Sequence, residues 1–353
     1  MKKHLEEVEY LRVITMLGVV YIHFLSIPQA AFADGSRGKA FFYFWQSLLV
    51  YSVPCFIFLS MMMTGYGFSD KKINISRFYK KRMFRLAVPY IIWSMLYVIF
   101  NFLVGKYGMS DILSIKKWAY WLFYGKAHDH LYFLPIMLQF MLFTPMMQKL
   151  VQKTKSSLLM CFIIAFVPQI IIYFLNRYYI YQHYKMLTSS MLWYWCIGFT
   201  GLFFGFFYDK CVKILEKYVH VVLLFNLFTF CVHMYYSNLM LLKIPFDTKL
   251  YTLNLYAYLI LCISTSVIVS RKLSKVKSPY ISYLQSASYG TYLMHPIFTG
   301  LIRKYVKLTG FIPNLMSAII TVPVIIFLCS YITTYLSNKN IVCYAFANKK
   351  TAN

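Results

Sequence analysis

The sequence predicts an all-α, polytopic transmembrane helical bundle of about ten spans. Three observations carry that expectation. First, 60% of the 353 residues are hydrophobic and only 13% are charged, against roughly 45–50% apolar and about 25% charged in soluble domains. Such a chain lacks the polar residues needed to cover a water-facing surface. Second, its apolar residues fall into stretches near the roughly 20 residues that cross a bilayer. Third, Lys and Arg number 36 against 10 Asp and Glu, and they cluster between those stretches. In a soluble chain a formal charge of +26 suggests nucleic acid. Here it reads as membrane topology and contact with anionic lipid or an anionic ligand. Disorder, a collagen-like chain and a secreted disulfide scaffold are excluded.

In chain order the spans read 10–29, 41–66, 85–104, 131–149, 157–176, 189–208, 219–236, 251–270, 280–301 and 311–336. Each is an apolar run closed by a short linker that carries Lys or Arg. The longest linker, 105–130, is too small for a globular domain, so residues 1–353 read as a single membrane-embedded domain with no fused soluble domain. With the N-terminus inside, the inner segments hold 22 basic residues and the outer segments 13. The inner share comes from Lys2, Lys3, the 67–85 loop, 149–155, 209–217, 271–277 and the tail. The positive-inside rule then puts both termini in the cytoplasm of a cell membrane.

Ala31-Phe32-Ala33 has the form of a signal-peptidase site. Glu6, Glu7 and Glu9 cancel Lys2, Lys3 and Arg12, however, whereas a signal peptide opens with net positive charge. Cleavage is therefore not expected. The eight cysteines show no zinc spacing, and most sit in apolar runs, where cysteine behaves as a small hydrophobe.

All ten acidic residues fall at ends or in loops. Proton-coupled transporters commonly carry buried carboxylates, and glycosidases need a pair of them, so both classes are disfavoured. A Gly-rich phosphate loop and HExxH are absent too. Histidine and arginine remain.

Arg12 and His23 are eleven residues apart in the first span, close to three helical turns, so both project from one face about 16 Å apart along the axis. One reading has Arg12 snorkelling to the inner interface and His23 bonding another helix. The other makes His23 a general base inside a cavity. Arg82 and Arg85, at the head of the third span, are neighbours on one helix face. Two guanidinium forks suit bidentate capture of phosphate oxygens; plain positive-inside anchoring is the alternative. His130 and Tyr132 open the fourth span. With His128 and Asp129 they imitate a metal site but lack further ligands, and no metal is expected. His295, beside Pro296 in the ninth span, and Ser60 are further polar groups that line a cavity or bond across helices.

Taken together, these segments resemble the acyltransferase 3 family of integral membrane proteins. The resemblance rests on Arg12-x10-His23 and Arg82-x-x-Arg85. It is supported by Val53 to Ser60, His130 to Leu134 and Tyr292-Leu293-Met294-His295-Pro296, in the family's order over nearly the whole chain. Tyr132 stands where members often carry Trp. The Pro54-Cys55-Phe56 segment and the run from Trp195 to Lys217 resemble the stand-alone branch encoded with bacterial exopolysaccharide machinery, that of poly-N-acetylglucosamine (intercellular adhesin) synthesis. That branch has been described both as exporter and as O-acyltransferase.

The resemblance implies an acyl-CoA donor, acetyl-CoA or succinyl-CoA, bound from the cytoplasm with its phosphates on Arg82 and Arg85. His23 would be the base or acyl carrier, with Arg12 orienting the site. The acceptor would be a cell-surface or lipid-linked glycan, and polysaccharide synthase machinery a partner. A glycan exporter and a non-catalytic synthase partner stay open as alternatives.

Overall fold

The computed structural model describes residues 4–69, 75–339 and 345–346, apart from the side chain of Lys81. Lys2, Lys3, Asp70, part of the 67–85 loop, Cys343 and the tail's Lys349 and Lys350 lie outside the described residues. Those described form fifteen α-helices and no strand. In order they are α1 (Glu6–Ala31), α2 (Arg37–Leu48), α3 (Ser52–Phe68), α4 (Ile75–Leu103), α5 (Met109–Ile112) and α6 (Ile115–Tyr124). Then follow α7 (Phe133–Lys153), α8 (Leu158–Leu175), α9 (Tyr181–His183), α10 (Trp195–Phe206) and α11 (Tyr208–Lys217). The last four are α12 (Val219–Leu241), α13 (Thr248–Leu273), α14 (Pro279–Thr309) and α15 (Leu315–Ser337).

Local chemistry sets several of these ends. Ser36, Ser114 and Ser157 accept from backbone N–H groups three residues on, and Asp247 accepts from Lys249, which satisfies donors that have no helical partner. Gly125 and Gly310 close α6 and α14 in the left-handed conformation, as helix-ending glycines do.

Among the described residues, eight helices or helix pairs are long and apolar enough to cross a membrane, and α10 with α11 makes a ninth if taken as one broken span. The chain is thus an all-α polytopic bundle. The ninth expected span, 280–301, is present as the 31-residue helix α14 but is too polar to pass that test. Its Ser288, Thr291, Tyr292 and His295 are buried in protein, so lipid does not meet them and average hydropathy undervalues the helix. By contrast Leu224, Phe225, Leu227 and Phe228 of α12 are exposed on its flank, as lipid-facing residues are. The expected 41–66 span is broken into α2 and α3 at residues 49–51. Pro54 explains the break, because it cannot donate to the Val50 carbonyl and its ring clashes there. The Tyr258 hydroxyl donates to the Leu48 carbonyl at the break, at 3.0 Å. Irregular backbone at membrane depth persists only where such partners exist.

The third span also differs from expectation. It starts at Ile75, ten residues before the expected 85, so Arg82 and Arg85 stand about two and nearly three turns inside α4 and not at its head. Basic residues lower hydropathy without opposing helix formation, which hid the true start.

The described chain divides into two compact units. One comprises the described residues of Met1–Leu59 and Asp209–Thr334, and the other those of Ser60–Tyr208 and Tyr335–Asn353.

In the first unit α1 packs on α2, α13 and α14. Glu9 accepts from Ser282, Arg12 donates to Gln285, His23 meets His295, and Ser26 accepts from Arg303. Numbers rise together along both helices, so α1 and α14 run parallel. Against α13 the sense is reversed: Glu7 pairs with Arg271 near the end of α13, while Asp34, beyond the end of α1, pairs with Lys243 just before it. An alternating ten-span threading requires both relations. The acidic leader is fully engaged here. Arg271 also bonds Glu216, Lys277 lies 3.4 Å from Glu6, and Tyr10 donates to the Val276 carbonyl.

The Asp34 carboxylate is exposed, and hydrogen bonds from Lys243 and then Lys39 hold its pKa down to about 2. A carboxyl depressed in the folded state stabilises above its unfolded pKa and loses that contribution as pH falls through the folded one. We expect Asp34→Asn to lower the thermal midpoint slightly at pH 7. Melts of both proteins over a pH series should show the difference shrink from about pH 4 downward and vanish below about 2.

In the second unit α7 packs on α4 and α10, and α10 on α8. A Cβ on Gly205 would stand 1.8 Å from the Met62 carbonyl oxygen, and one on Gly65 would stand 2.2 Å from that of Leu202. Two backbones cross here with no room for a methyl group, a small-residue crossing common in membranes. Gly205→Ala should therefore destabilise by about 1–3 kcal/mol or more. A thermal midpoint in detergent unchanged from wild type would contradict the crossing.

Candidate functional site

The expected functional residues divide between the two units. Arg12, His23 and His295 belong to the first, and Ser60, Arg82, Arg85, His130 and Tyr132 to the second.

The seam between α1 and α14 gathers the first group. The Arg12 Nη1 donates to Gln285 Oε1 at 2.8 Å. One turn earlier, Glu9 Oε2 accepts from the Ser282 hydroxyl at 2.8 Å, leaving a carboxylate close enough to balance the guanidinium. Further along, the His23 and His295 rings meet with centroids 5.0 Å apart, tilted by 51°. His295 is wholly buried, and its Nδ1 lies 3.2 Å from the Thr291 carbonyl. The Thr291 hydroxyl is in turn 3.2 Å from that of Ser330 on α15. Tyr292 packs beside His295, at 6.0 Å, and beside Phe56 of α3, also at 6.0 Å. Cys55 neighbours Phe56 and receives the Thr15 hydroxyl at 3.2 Å. Gln46 donates to the carbonyl of Ile22, one residue before His23, at 3.4 Å. The motif segments around Arg12, His23, Cys55 and His295 are thus brought together around one polar seam within spans. Arg12 is engaged with Gln285, so free snorkelling does not describe it.

In the second unit Arg82 and Arg85 are half-buried on one face of α4 and close enough to feel each other's charge. Among the described residues no carboxylate pairs with either. Two unneutralised guanidinium groups one turn apart favour an anion between them. The Ser60 carbonyl accepts from the Thr64 hydroxyl at 2.8 Å. His130 is buried, with its Nδ1 3.0 Å from that of His128. Both rings flank Tyr97, at 4.5 and 5.0 Å for His128 and His130 respectively. Gly125 permits this fold-back, since a Cβ there would lie 2.4 Å from the Tyr132 Cα. Among the described residues no three His, Cys, Asp or Glu side chains converge as metal ligands. Six of the described cysteines are buried, and Cys231 is exposed.

Sequence reading missed Gln285, because a lone glutamine in a polar helix carries no signal for its partner. It also missed His233, stacked on Tyr258 at 4.7 Å and buried beside the broken span.

Membrane-spanning helices organised around an arginine and a histidine of one helix define an integral membrane protein of a particular class. Residues 5–334 match the acyltransferase domain family, the acyltransferase 3 group, and the chain belongs to it. Among curated relatives it is similar to a protein of Staphylococcus epidermidis named "Probable poly-beta-1,6-N-acetyl-D-glucosamine export protein". The two are 24% identical over 322 residues, covering 87% of this chain and 85% of that one. A Staphylococcus aureus (strain MSSA476) protein of the same name is 22% identical over 322 residues, covering 87% and 86%. No solved structure matches.

Proposed function

We propose that this protein is a cell-membrane O-acyltransferase that moves an acetyl or succinyl group from cytoplasmic acyl-CoA to a cell-surface or lipid-linked glycan. The observation that carries the reading is the α1–α14 seam, where the half-buried Arg12 and His23 and the buried His295 lie within membrane spans, Arg12 bonded to Gln285 and His23 against His295. Polar groups at such depth are costly and by default mark function. The family membership supplies the class of reaction, and the relatives' names supply the glycan.

In this reading both termini are cytoplasmic. Arg82 and Arg85 hold the donor's phosphates. His23 removes the proton from the acceptor hydroxyl as that oxygen attacks the thioester carbon, then returns it to the departing thiolate. Arg12, oriented by Gln285, supplies fixed positive charge to the donor or the developing oxyanion. Ser60, His130 and Tyr132 are secondary candidates for contact with the substrates, and polysaccharide synthase machinery is the expected partner. No metal is assigned a role.

Export of the polymer is the second reading, favoured by the names of the relatives. Purified protein incubated with labelled acetyl-CoA or succinyl-CoA and a glycan acceptor separates the two. Label on the glycan supports transfer, whereas polymer movement into vesicles without label supports export.

Arg82→Ala and Arg85→Ala should each raise the donor KM by about tenfold or more, since a lost charge-assisted hydrogen bond costs about 1.5–3 kcal/mol. Insertion and melting should change little. Donor affinity equal to wild type in both variants would remove the phosphate assignment.

His23→Ala and His23→Gln should both lose acyl transfer, by about 10²–10⁴-fold for a missing general base, while remaining monodisperse in detergent. Glutamine keeps hydrogen bonding but accepts no proton. A purely structural histidine would give the opposite pattern, with Gln near wild type and Ala unstable.

A further inference from the structure

We propose that Tyr289 is a donor-binding residue, its phenol O–H meeting a phosphate oxygen of the acyl-CoA beside Arg12. The identity of the ligand rests on the acyltransferase reading; the unpaired hydroxyl rests on geometry alone.

The Tyr289 hydroxyl oxygen is buried, and among the described residues it has no hydrogen-bond partner. Polar groups left in that state are costly and uncommon in folded proteins. A serine or threonine hydroxyl so placed can rotate to a carbonyl of its own helical turn. A phenol oxygen, at the far side of its ring, cannot. Its partner must come from outside the helix.

Helical geometry places this hydroxyl. At about 100° per residue, Tyr289 lies about 40° around α14 from Gln285, which accepts from Arg12. The residues that meet α15 lie on the far side. Gly290 stands against Thr333, Thr291 against Ser330 and Met294 against Thr333, about 140–240° from Gln285. Tyr289 therefore belongs to the face that carries the α1 contacts Ser282, Gln285 and Arg303. Long helical side chains lean towards the helix N-terminus. That lean brings the phenol back to the turn of Gln285, and so to Arg12.

Arg12 gives an Nη1–H to Gln285 at 2.8 Å, and a guanidinium carries further N–H donors. The Glu9 carboxylate, one turn earlier, is bonded to Ser282 and His4. A cation and a neutral O–H donor thus share one level of the seam, a pair that suits an anion rich in acceptor oxygens. Spacing selects the part of the donor that lies there. His23 is eleven residues beyond Arg12, about 16 Å along α1. In acyl-CoA about twelve bonds join the phosphate ester oxygen to the sulfur, the reach of four extended residues or about 14 Å. An acyl carbon held at His23 leaves the diphosphate near the level of Arg12 and Tyr289. Coenzyme A carries a further phosphate on its ribose, so this contact adds to those proposed for Arg82 and Arg85.

The test compares full-length wild type with Tyr289→Phe, which removes only the hydroxyl, in detergent. Without ligand the variant should melt at or above the wild-type midpoint, because an unpaired buried hydroxyl contributes no stability. Its affinity for CoA, read from the rise in midpoint with CoA concentration, should fall about tenfold or more. The KM for acetyl-CoA or succinyl-CoA should rise by the same factor, with kcat nearly unchanged. In 31P spectra of bound CoA the diphosphate signals should move between the two proteins, and the ribose phosphate signal should not.

A variant that melts below wild type, or fails to fold, makes the hydroxyl structural and overturns the proposal. Unchanged CoA affinity, or unmoved diphosphate signals, overturns it as well, and in a wild type that transfers acyl groups leaves the acyltransferase reading standing. If wild type binds CoA through Tyr289 yet transfers no acyl group, the contact stands and that reading falls. A wild-type protein that binds no CoA overturns both.

Discussion

Parallel packing of α1 against α14 is the contact on which the first unit depends. Apolar helices in lipid gain little from burying one another, because lipid tails are as apolar as leucine. Close packing and interhelical hydrogen bonds must supply specificity. The α1–α14 seam has both, with Glu9–Ser282, Arg12–Gln285, His23–His295 and Ser26–Arg303 spaced along it. Shifting the register by one residue would separate a guanidinium and two imidazoles from these neighbours, and polar groups inside spans are costly to leave without partners. The same groups that fix the register are those assigned to chemistry. Under the proposed function, structure and chemistry constrain one set of residues.

The distribution of carboxylates follows from the same physics. Glu6, Glu7 and Glu9 bind Lys277, Arg271 and Ser282 at one end of the unit, and Asp34 bridges Lys39 and Lys243 at the other. These clamps sit at helix ends and in loops, where water lowers the cost of charge. Between them, besides the Arg12 and Arg303 guanidinium groups, the polar groups are hydroxyls, amides and imidazoles, all of which can be neutral. In the proposed reaction a site assembled from such groups would accept and donate protons without burying a permanent negative charge, which suits the proposed anionic donor.

The break between α2 and α3 shows how irregular backbone is tolerated at the same depth. Pro54 withdraws a donor, and the Tyr258 hydroxyl answers at the Leu48 carbonyl. His233 lies flat on the Tyr258 ring and fixes that phenol in place. A histidine that sequence reading gave no role thus supports the path of the chain next to Gln46, which in turn bonds the carbonyl beside His23.

By itself the sequence determined the class of fold, the family and the shared facing of Arg12 and His23. Hydropathy and helical periodicity are local properties, and an eleven-residue spacing places two side chains on one face whatever surrounds them. It also marked Arg82 with Arg85 as a pair, though not their place about two and nearly three turns inside α4, because charge lowers hydropathy without ending a helix. Pro54 carried a local signal for the broken span that an average over twenty residues conceals. Tertiary structure alone decided that Gln285 receives Arg12, that His295 meets His23, and that Thr291, bonded to Ser330, lies against that imidazole. Those partners lie more than 250 residues from α1 along the chain. Their pairing depends on which helix lies beside which and in what register, and no local pattern in a single sequence encodes that choice.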